Sequence, residues 1–139
     1  MASPGRRRGA ATGGTLLRPA HFPGRAPLEA YGNGGFRFAG MSHRGSLLCL
    51  PSGIYAWRVD DAAQLSLDSF SRVLAEAADI EVLLVGTGGG LAPLRPEWRQ
   101  AFRDHGISAD AMSTGAAVRT FNVLLAEGRA VAAALVAVE

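Results

Sequence analysis

The sequence contains no lysine, since all 14 of its basic residues are arginine. A Walker-type phosphate loop requires Gly-Lys-Ser/Thr, so that class of nucleotide site is excluded. The single cysteine, Cys49, cannot form an internal disulfide, which fits a reducing compartment. The longest apolar run, 130–138, is well short of the roughly 18 residues that a membrane-spanning helix needs. The sequence therefore predicts no membrane span.

Residues that bind metals or act as nucleophiles are few and scattered. His21, His43 and His105 lie in three different contexts, and none has a partner at metal-ligand spacing. Cys49 stands in the apolar run 47–50, which favours a small buried side chain over a nucleophile. We therefore predict no catalytic residue, no metal site and no cofactor.

The charge is uneven along the chain. Residues 1–58 hold eight Arg and one acid, a balance of +7, whereas residues 59–139 hold six Arg and eleven acids, a balance of −5. The net charge of +2 and the absence of a basic helix or RNA-binding motif argue against a nucleic-acid partner.

Residues 1–27 are dominated by Gly, Pro, Ser, Thr, Ala and Arg and predict a disordered N-terminal tail. The segment lacks the apolar core of a secretory signal. Its acid-free, Arg-rich composition leaves a mitochondrial presequence open beside a bacterial tail. We therefore expect a cytoplasmic protein if the source is bacterial and a mitochondrial matrix protein if it is eukaryotic.

Residues 28–139 predict a single α/β domain. Alternating Phe36 and Phe38, with turn residues at 32–35, 43–45 and 51–53, predict a meander of three strands over 28–57. A helix follows over 63–79, with Ser66 as its N-cap, and it leads into a strand over 80–85.

The second half continues the alternation of helix and strand. Helix 96–105 begins at a proline, stops at Gly106 and is predicted to turn His105 inward. A strand over 107–112 then leads to a third helix, which begins at Ser113 or Thr114. The last segment, 130–138, is rich in alanine, but its valines and leucine favour a strand over a helix.

The segment around which the chain is organised, 81–91, reads E-V-L-L-V-G-T-G-G-G-L. A short β-branched run that ends in glycines predicts a buried strand. The glycines meet the first positions of the dinucleotide fingerprint G-x-G-x-x-G, but Leu91 replaces the last glycine and Pro93 interrupts the following helix. Two interpretations remain, a structural turn and the rim of a non-classical pocket.

The start of the third helix is the second candidate. Its free N–H groups could hold an anion, with Arg119 and Asn122 on the same face, although an ordinary capped helix has the same sequence. Both this helix start and the glycine loop follow strands, and such ends gather at one edge of an α/β sheet, where ligand crevices form. The candidate ligand- or partner-binding residues are Gly86, Thr87, Gly88, Thr114, Gly115, Arg119 and Asn122.

Four blocks resemble a known family. They are Y-G-N-G-G-F-R-F (31–38), H-R-G-S-L-L-C-L-P-S-G-I-Y-A-W (43–57), V-L-L-V-G-T-G (82–88) and S-T-G-A-A-V-R-T-F-N-V-L-L-A-E-G-R-A-V-A-A-A-L (113–135). Together they resemble the small domain-of-unknown-function family that includes mitochondrial complex I assembly factor 3 and bacterial and archaeal relatives. The resemblance covers about residues 28–138. Its matching motif positions are Gly86, Gly88, Thr114, Gly115, Thr120 and Asn122.

The resemblance implies a three-layer α/β domain with mixed sheets, about three helices and a β-hairpin inserted before the first helix. It also implies a non-enzymatic role in the assembly of respiratory NADH dehydrogenase, through contacts with subunits or assembly factors of that membrane complex. It supplies no catalytic residue. The alternatives from the residues themselves are a small-molecule or anion-binding domain, with or without catalysis, and a homo-oligomeric structural protein.

Overall fold

The computed structural model of the protein describes residues 21–139, which form nine β-strands and three α-helices. The strands are β1 (His21–Pro23), β2 (Leu28–Gly32), β3 (Gly35–Phe38), β4 (Met41–Arg44), β5 (Ser46–Leu50), β6 (Gly53–Trp57), β7 (Val82–Gly86), β8 (Ser108–Met112) and β9 (Val131–Leu135). The helices are α1 (Ser71–Ala75), α2 (Pro96–Asp104) and α3 (Thr114–Ala126), and short 3-10 turns occupy Ala62–Gln64, Leu67–Phe70 and Ala77–Asp79.

The strands form two sheets. Six of them make a mixed sheet in the order β1-β6-β5-β9-β7-β8, in which β7 runs parallel to β8 and β9 while β5 runs antiparallel to β6 and β9. The other three form an antiparallel sheet, β2-β3-β4, inserted before the first helix. The predictions of a mixed α/β domain with about three helices and an early hairpin insertion are confirmed.

One face of the large sheet is covered by α1, α2 and the 3-10 turns around them. Phe70 lies at the centre of this layer, with its ring centroid 5.2 Å from that of Phe102 in an edge-to-face contact and 5.7 Å from that of Trp57. Leu48 and Leu50 of β5 face the same cluster. This aromatic core fixes the helices on one side of the sheet.

The opposite face is covered by α3 and the small sheet. Leu47 and Cys49, which alternate with the leucines of the first cluster, pack here against Phe36, Phe38 and Phe121. All five residues of β5 are therefore buried, as a central strand with a packed layer on each side requires. The domain has three layers, and α3 lies in the same layer as the small sheet.

Residues 21–27 correct the predicted tail. Strand β1 pairs antiparallel with β6, with Phe22 opposite Ile54, and the N–H of Gly24 donates to the carbonyl of Ser52 at 3.1 Å. Ala26 is buried. A short edge strand needs only backbone partners, so a Gly/Pro-rich composition did not prevent it. The predicted disorder is wrong for 21–27, while residues 1–20 lie outside the described part of the chain.

Two further predictions need correction in the first half. Residues 28–57 form five strands in two sheets instead of a three-strand meander, and His43 and Arg44 belong to β4 instead of a turn. The chain changes sheets at Gly45, which has a φ of +99°. One glycine is thus enough to join two strands that belong to different layers.

The helical segments also differ in detail. Residues 63–79 do not form one helix: α1 ends at Ala75, and Glu76 leaves helical geometry with its carboxylate accepting hydrogen bonds from Ser52. In α2, His105 is exposed instead of inward, and its Nδ1 lies 2.8 Å from the Ala101 carbonyl oxygen at the helix end. The predicted starts of α2 and α3 and the strand β9 are confirmed.

Candidate functional site

The glycine loop after β7 and the start of α3 lie in direct contact. The N–H of Gly88 donates to Thr114 Oγ1 at 3.0 Å, and the N–H of Thr114 donates to the Gly88 carbonyl at 2.8 Å. A third bond runs from the N–H of Thr87 to the Met112 carbonyl at 2.9 Å. Parallel pairing of β7 with β8 brings these two strand ends to one edge of the sheet.

The buried side chain of Thr114 forms hydrogen bonds on both sides of this contact. Its side chain is fully buried, and its hydroxyl donates to the carbonyl of Val136 at 2.6 Å while accepting from Gly88. A hydroxyl has one proton to donate, and here it is used within the protein. Thr114 therefore joins three segments, the glycine loop, the start of α3 and the end of β9.

Gly86 is required by the same close approach. A Cβ at this position would lie 2.9 Å from both Cα and Oγ1 of Thr114 and 3.0 Å from Leu135 Cδ2. Gly86 also accepts a hydrogen bond from the N–H of Val136 at 2.8 Å. The first glycine of the loop is thus explained by packing of the helix start against the strand end.

The rest of the loop folds back on itself. Thr87 Oγ1 donates to the Gly90 carbonyl at 2.6 Å and accepts from the N–H of Ala92 at 2.9 Å. Gly88 has a φ of +100°, a conformation that favours glycine. Gly89 and Gly90 are exposed at the tip.

The first turn of α3 is capped and partly covered. Ser113 Oγ accepts from the N–H of Ala116 at 3.3 Å, as an N-cap does. Tyr31 of β2 lies over Gly115, where a Cβ would come within 2.4 Å of the phenol oxygen. Gly115 therefore leaves room for the Tyr31 ring against the first turn of the helix.

Asn122 lies two turns further along the same helix and holds β2. Its Oδ1 accepts from the N–H of Leu28 and its Nδ2 donates to the Leu28 carbonyl, both at 2.8 Å. The side-chain amide thus pairs with the edge of β2 as a neighbouring strand would. The sequence pattern did not indicate this partner, because Leu28 is 94 residues away.

Arg119 is the exception among the predicted residues. It is exposed and forms no ion pair with any residue of 21–139. The structure thus brings Gly86, Thr87, Gly88, Thr114 and Gly115 together. It leaves Asn122 bonded to Leu28 of β2 and Arg119 on the surface.

The other reactive side chains lie elsewhere. Burial raises the pKa of the Cys49 thiol far above its ordinary value, which keeps the side chain protonated in the core. Burial also lowers the pKa of His43, whose Nε2 lies 3.2 Å from the Ser46 carbonyl oxygen. Within residues 21–139, no three His, Cys, Asp or Glu side chains are grouped to hold a metal ion. No helix in that range is both long and apolar enough to cross a bilayer.

Two concave regions lie away from the predicted residues. One, of about 390 Å³, lies against the small sheet and is lined by Tyr31, Arg37, Ser42 and Arg44 among others. The other, of about 640 Å³, is a shallow depression near the starts of β7, β8 and β9.

The architecture, a mixed six-stranded sheet with helices on one face and a helix beside a small inserted sheet on the other, defines the fold class. A crystal structure from Bartonella henselae, described as an outer membrane protein, has the same fold with a TM-score of 0.82 and 62% identity, over 86% of this chain and 100% of that one. Residues 28–136 match the model of the family "Protein of unknown function (DUF498/DUF598)", and the chain belongs to this family.

Curated relatives extend the comparison. An uncharacterized protein of Rhodobacter capsulatus is 37% identical over 118 residues, which span 85% of this chain and 90% of the relative. NADH dehydrogenase [ubiquinone] 1 alpha subcomplex assembly factor 3 of the mouse is 33% identical over 120 residues, 86% of this chain. The match spans 65% of the mouse protein and 59% of the human one, so both are longer than the shared domain.

Proposed function

We propose that the protein acts through protein–protein contacts in the assembly of a respiratory membrane complex. The proposal draws on the relation to assembly factor 3, a protein named as an assembly factor of NADH dehydrogenase. In a bacterium the work would take place in the cytoplasm, and in a eukaryote in the mitochondrial matrix.

The observation that carries the proposal is an exposed strip along α3. Val123 is 56% exposed and Tyr31, lying over the start of the helix, is 42% exposed. Arg119 lies between them, one turn before Val123. Tyrosine and arginine are enriched at protein interfaces and among the residues that contribute most to binding. We call Tyr31, Arg119 and Val123 the α3 strip.

The interior of the site supports the same choice. The N–H of Thr114 donates to the Gly88 carbonyl, and the Thr114 hydroxyl accepts from the N–H of Gly88 and donates to the Val136 carbonyl. A ligand that used these groups would have to break buried hydrogen bonds, at about 1–3 kcal/mol for each group left unpaired. The exposed strip requires no such rearrangement.

Quantitative affinity purification of the full chain from its native host tests the proposal. We expect respiratory-complex subunits or assembly factors to be recovered reproducibly, and Arg119→Glu and Val123→Glu to reduce their recovery. Leu67→Glu is the matched control, because Leu67 is also exposed and apolar but lies on a 3-10 turn in the other helical layer. Absence of any recurring respiratory component would refute the proposed role, and equal losses in all three variants would refute the strip.

A further inference from the structure

Strand β4 leaves one edge of the small sheet open, since no strand of residues 21–139 pairs with its outer side. It is joined to β3 by a two-residue turn at 39–40 with φ values of +50° and +74°. In such hairpins the two residues that flank the turn form hydrogen bonds to each other across the strands. Further along the strands, hydrogen-bonded pairs alternate with pairs whose N–H and C=O groups point away from each other. The bond from Gly45 N–H to the Gly34 carbonyl, 2.7 Å, follows this alternation. The N–H and C=O groups of Ser42 and Arg44 therefore point outward.

The open edge is cationic. Arg37 and Arg44 line the 390 Å³ concavity together with Ser42, and Arg37 Nη1 donates to Ser42 Oγ at 2.8 Å. Neither arginine forms an ion pair with another described residue. The half-buried His43 lies between Ser42 and Arg44 along β4, and its Nε2 lies 3.2 Å from the Ser46 carbonyl oxygen.

Two acidic side chains lie near this edge, both from the chain itself. Glu139 and Arg44 both reach the space beside Gly34. A Cβ on Gly34 would lie 3.7 Å from Glu139 Oε2 and 3.6 Å from Arg44 Nη1. Glu29 lies at the opposite end of the hairpin, where its Oε2 accepts from the N–H of Gly40 at 3.1 Å. The Glu139 carboxylate thus lies beside the open edge and neutralises part of the positive charge of that edge.

We propose that the outer edge of β4 binds an extended, acidic segment of a partner protein as an added fourth strand. Outward backbone donors and acceptors select an extended polypeptide, and Arg37 and Arg44 select acidic side chains. A second copy of β4 would bring its own Arg44 to the same edge, where like charges oppose pairing. The inference goes beyond the proposed function, because it does not depend on the partner being a respiratory protein.

The test uses synthetic peptides and the ¹⁵N-labelled full chain. A peptide of alternating Val and Glu is titrated into the labelled chain while the backbone amide shifts are followed. Two control peptides are titrated in the same way, one with Gln in place of Glu and one with Glu but N-methylated at alternate backbone positions. We expect saturable shifts at Ser42 and Arg44 with the Glu peptide, weaker binding of the Gln peptide and none of the N-methylated one. The proposal is overturned if the Glu peptide gives no saturable shift, if the N-methylated peptide binds equally, or if inorganic phosphate reproduces the shifts. It is also overturned if light scattering shows self-association and the amide shifts of Ser42 and Arg44 change with the concentration of the chain alone.

Variants separate charge from backbone pairing. Arg37→Gln and Arg44→Gln should each weaken binding about two- to fivefold, as loss of an exposed ion pair does. Glu139→Gln should strengthen it, because a competing carboxylate is removed. Ser42→Pro removes an outward N–H and should abolish binding, whereas Ser42→Ala keeps that N–H and should retain most of it. If Ser42→Pro does not fold, the N-methylated peptide supplies the same discrimination, and unchanged affinity in the Arg44 and Glu139 variants contradicts the proposal.

Discussion

Replacing Thr114 by valine would test whether the candidate site holds the fold together. The two side chains have nearly the same shape, so the substitution removes the hydroxyl and leaves the packing largely intact. The N–H of Gly88 then loses its acceptor at 3.0 Å and the carbonyl of Val136 loses its donor at 2.6 Å. Both groups lie around a side chain with no solvent exposure, so water cannot easily replace the hydroxyl.

The expected loss follows from these two groups. A buried donor or acceptor left unpaired costs about 1–3 kcal/mol, and the Val136 carbonyl is the less costly because it has a second lone pair. We therefore expect Thr114→Val to lower the free energy of unfolding by about 2–4 kcal/mol. In a domain of this size, that corresponds to a fall in melting temperature on the order of 10 °C.

Urea denaturation followed by circular dichroism measures the effect. Thr114→Ser keeps the hydroxyl and should be the milder change. Thr120→Val is a second control, because its hydroxyl bonds only to the Ala116 carbonyl within α3. A Thr114→Val protein within about 0.5 kcal/mol of the wild type would refute the structural role. If that variant instead kept its stability but lost a phosphate- or carboxylate-induced thermal shift, the anion-binding alternative would be favoured.

Three further substitutions test neighbouring contacts. Gly86→Ala should destabilise by about 1–3 kcal/mol through overpacking against Thr114, whereas Gly89→Ala, with no atom near its Cβ, should be nearly neutral in the same urea experiment. Asn122→Leu should cost about 1–3 kcal/mol and accelerate amide hydrogen exchange at Leu28, because both hydrogen bonds to that residue are lost. His43→Gln should reduce the loss of stability between pH 7 and pH 5, measured from urea midpoints at each pH. Burial lowers the pKa of His43 in the folded state, so the unfolded chain binds the proton more readily and acid favours unfolding.

Local sequence signals predicted the parts of the fold whose causes are local. The apolar, β-branched run before the glycine loop became the buried strand β7, and Ser113 became the cap of α3. Gly106, with a φ of +79°, follows the end of α2. In each case the residue that sets the boundary lies within a few positions of it.

Contacts between distant segments accompany two of the predictions that were wrong. The predicted helix over 63–79 breaks at Glu76, whose carboxylate is bonded to Ser52, 24 positions earlier. Strand β1 forms by antiparallel pairing with β6, in which Phe22 lies opposite Ile54, although the composition around β1 is typical of a disordered segment. Neither partner can be found from the pattern of the segment itself.

The candidate site falls between these two cases. Strand-end topology predicted that the glycine loop and the start of α3 would be close, and they are in contact. The topology did not indicate which acceptor the Thr114 hydroxyl would use. That acceptor, the Val136 carbonyl, lies 22 positions further along the chain. Proximity of two segments is thus easier to predict than the space left between them.

This distinction bears on what family membership explains. Three of the positions that carry the resemblance make their contacts inside the domain. Gly86 packs against Thr114, the Thr114 hydroxyl donates to Val136, and the Asn122 amide is bonded to Leu28. A relative with the same residues at these positions would keep these internal contacts without having its partner fixed by them. Partner choice has to depend on side chains and backbone that face solvent, and the α3 strip and the outer edge of β4 are two such surfaces. A chain could keep every motif residue and still change its partner by substitutions at Arg119, Val123 or Arg44, so those positions are where relatives with different roles should differ first.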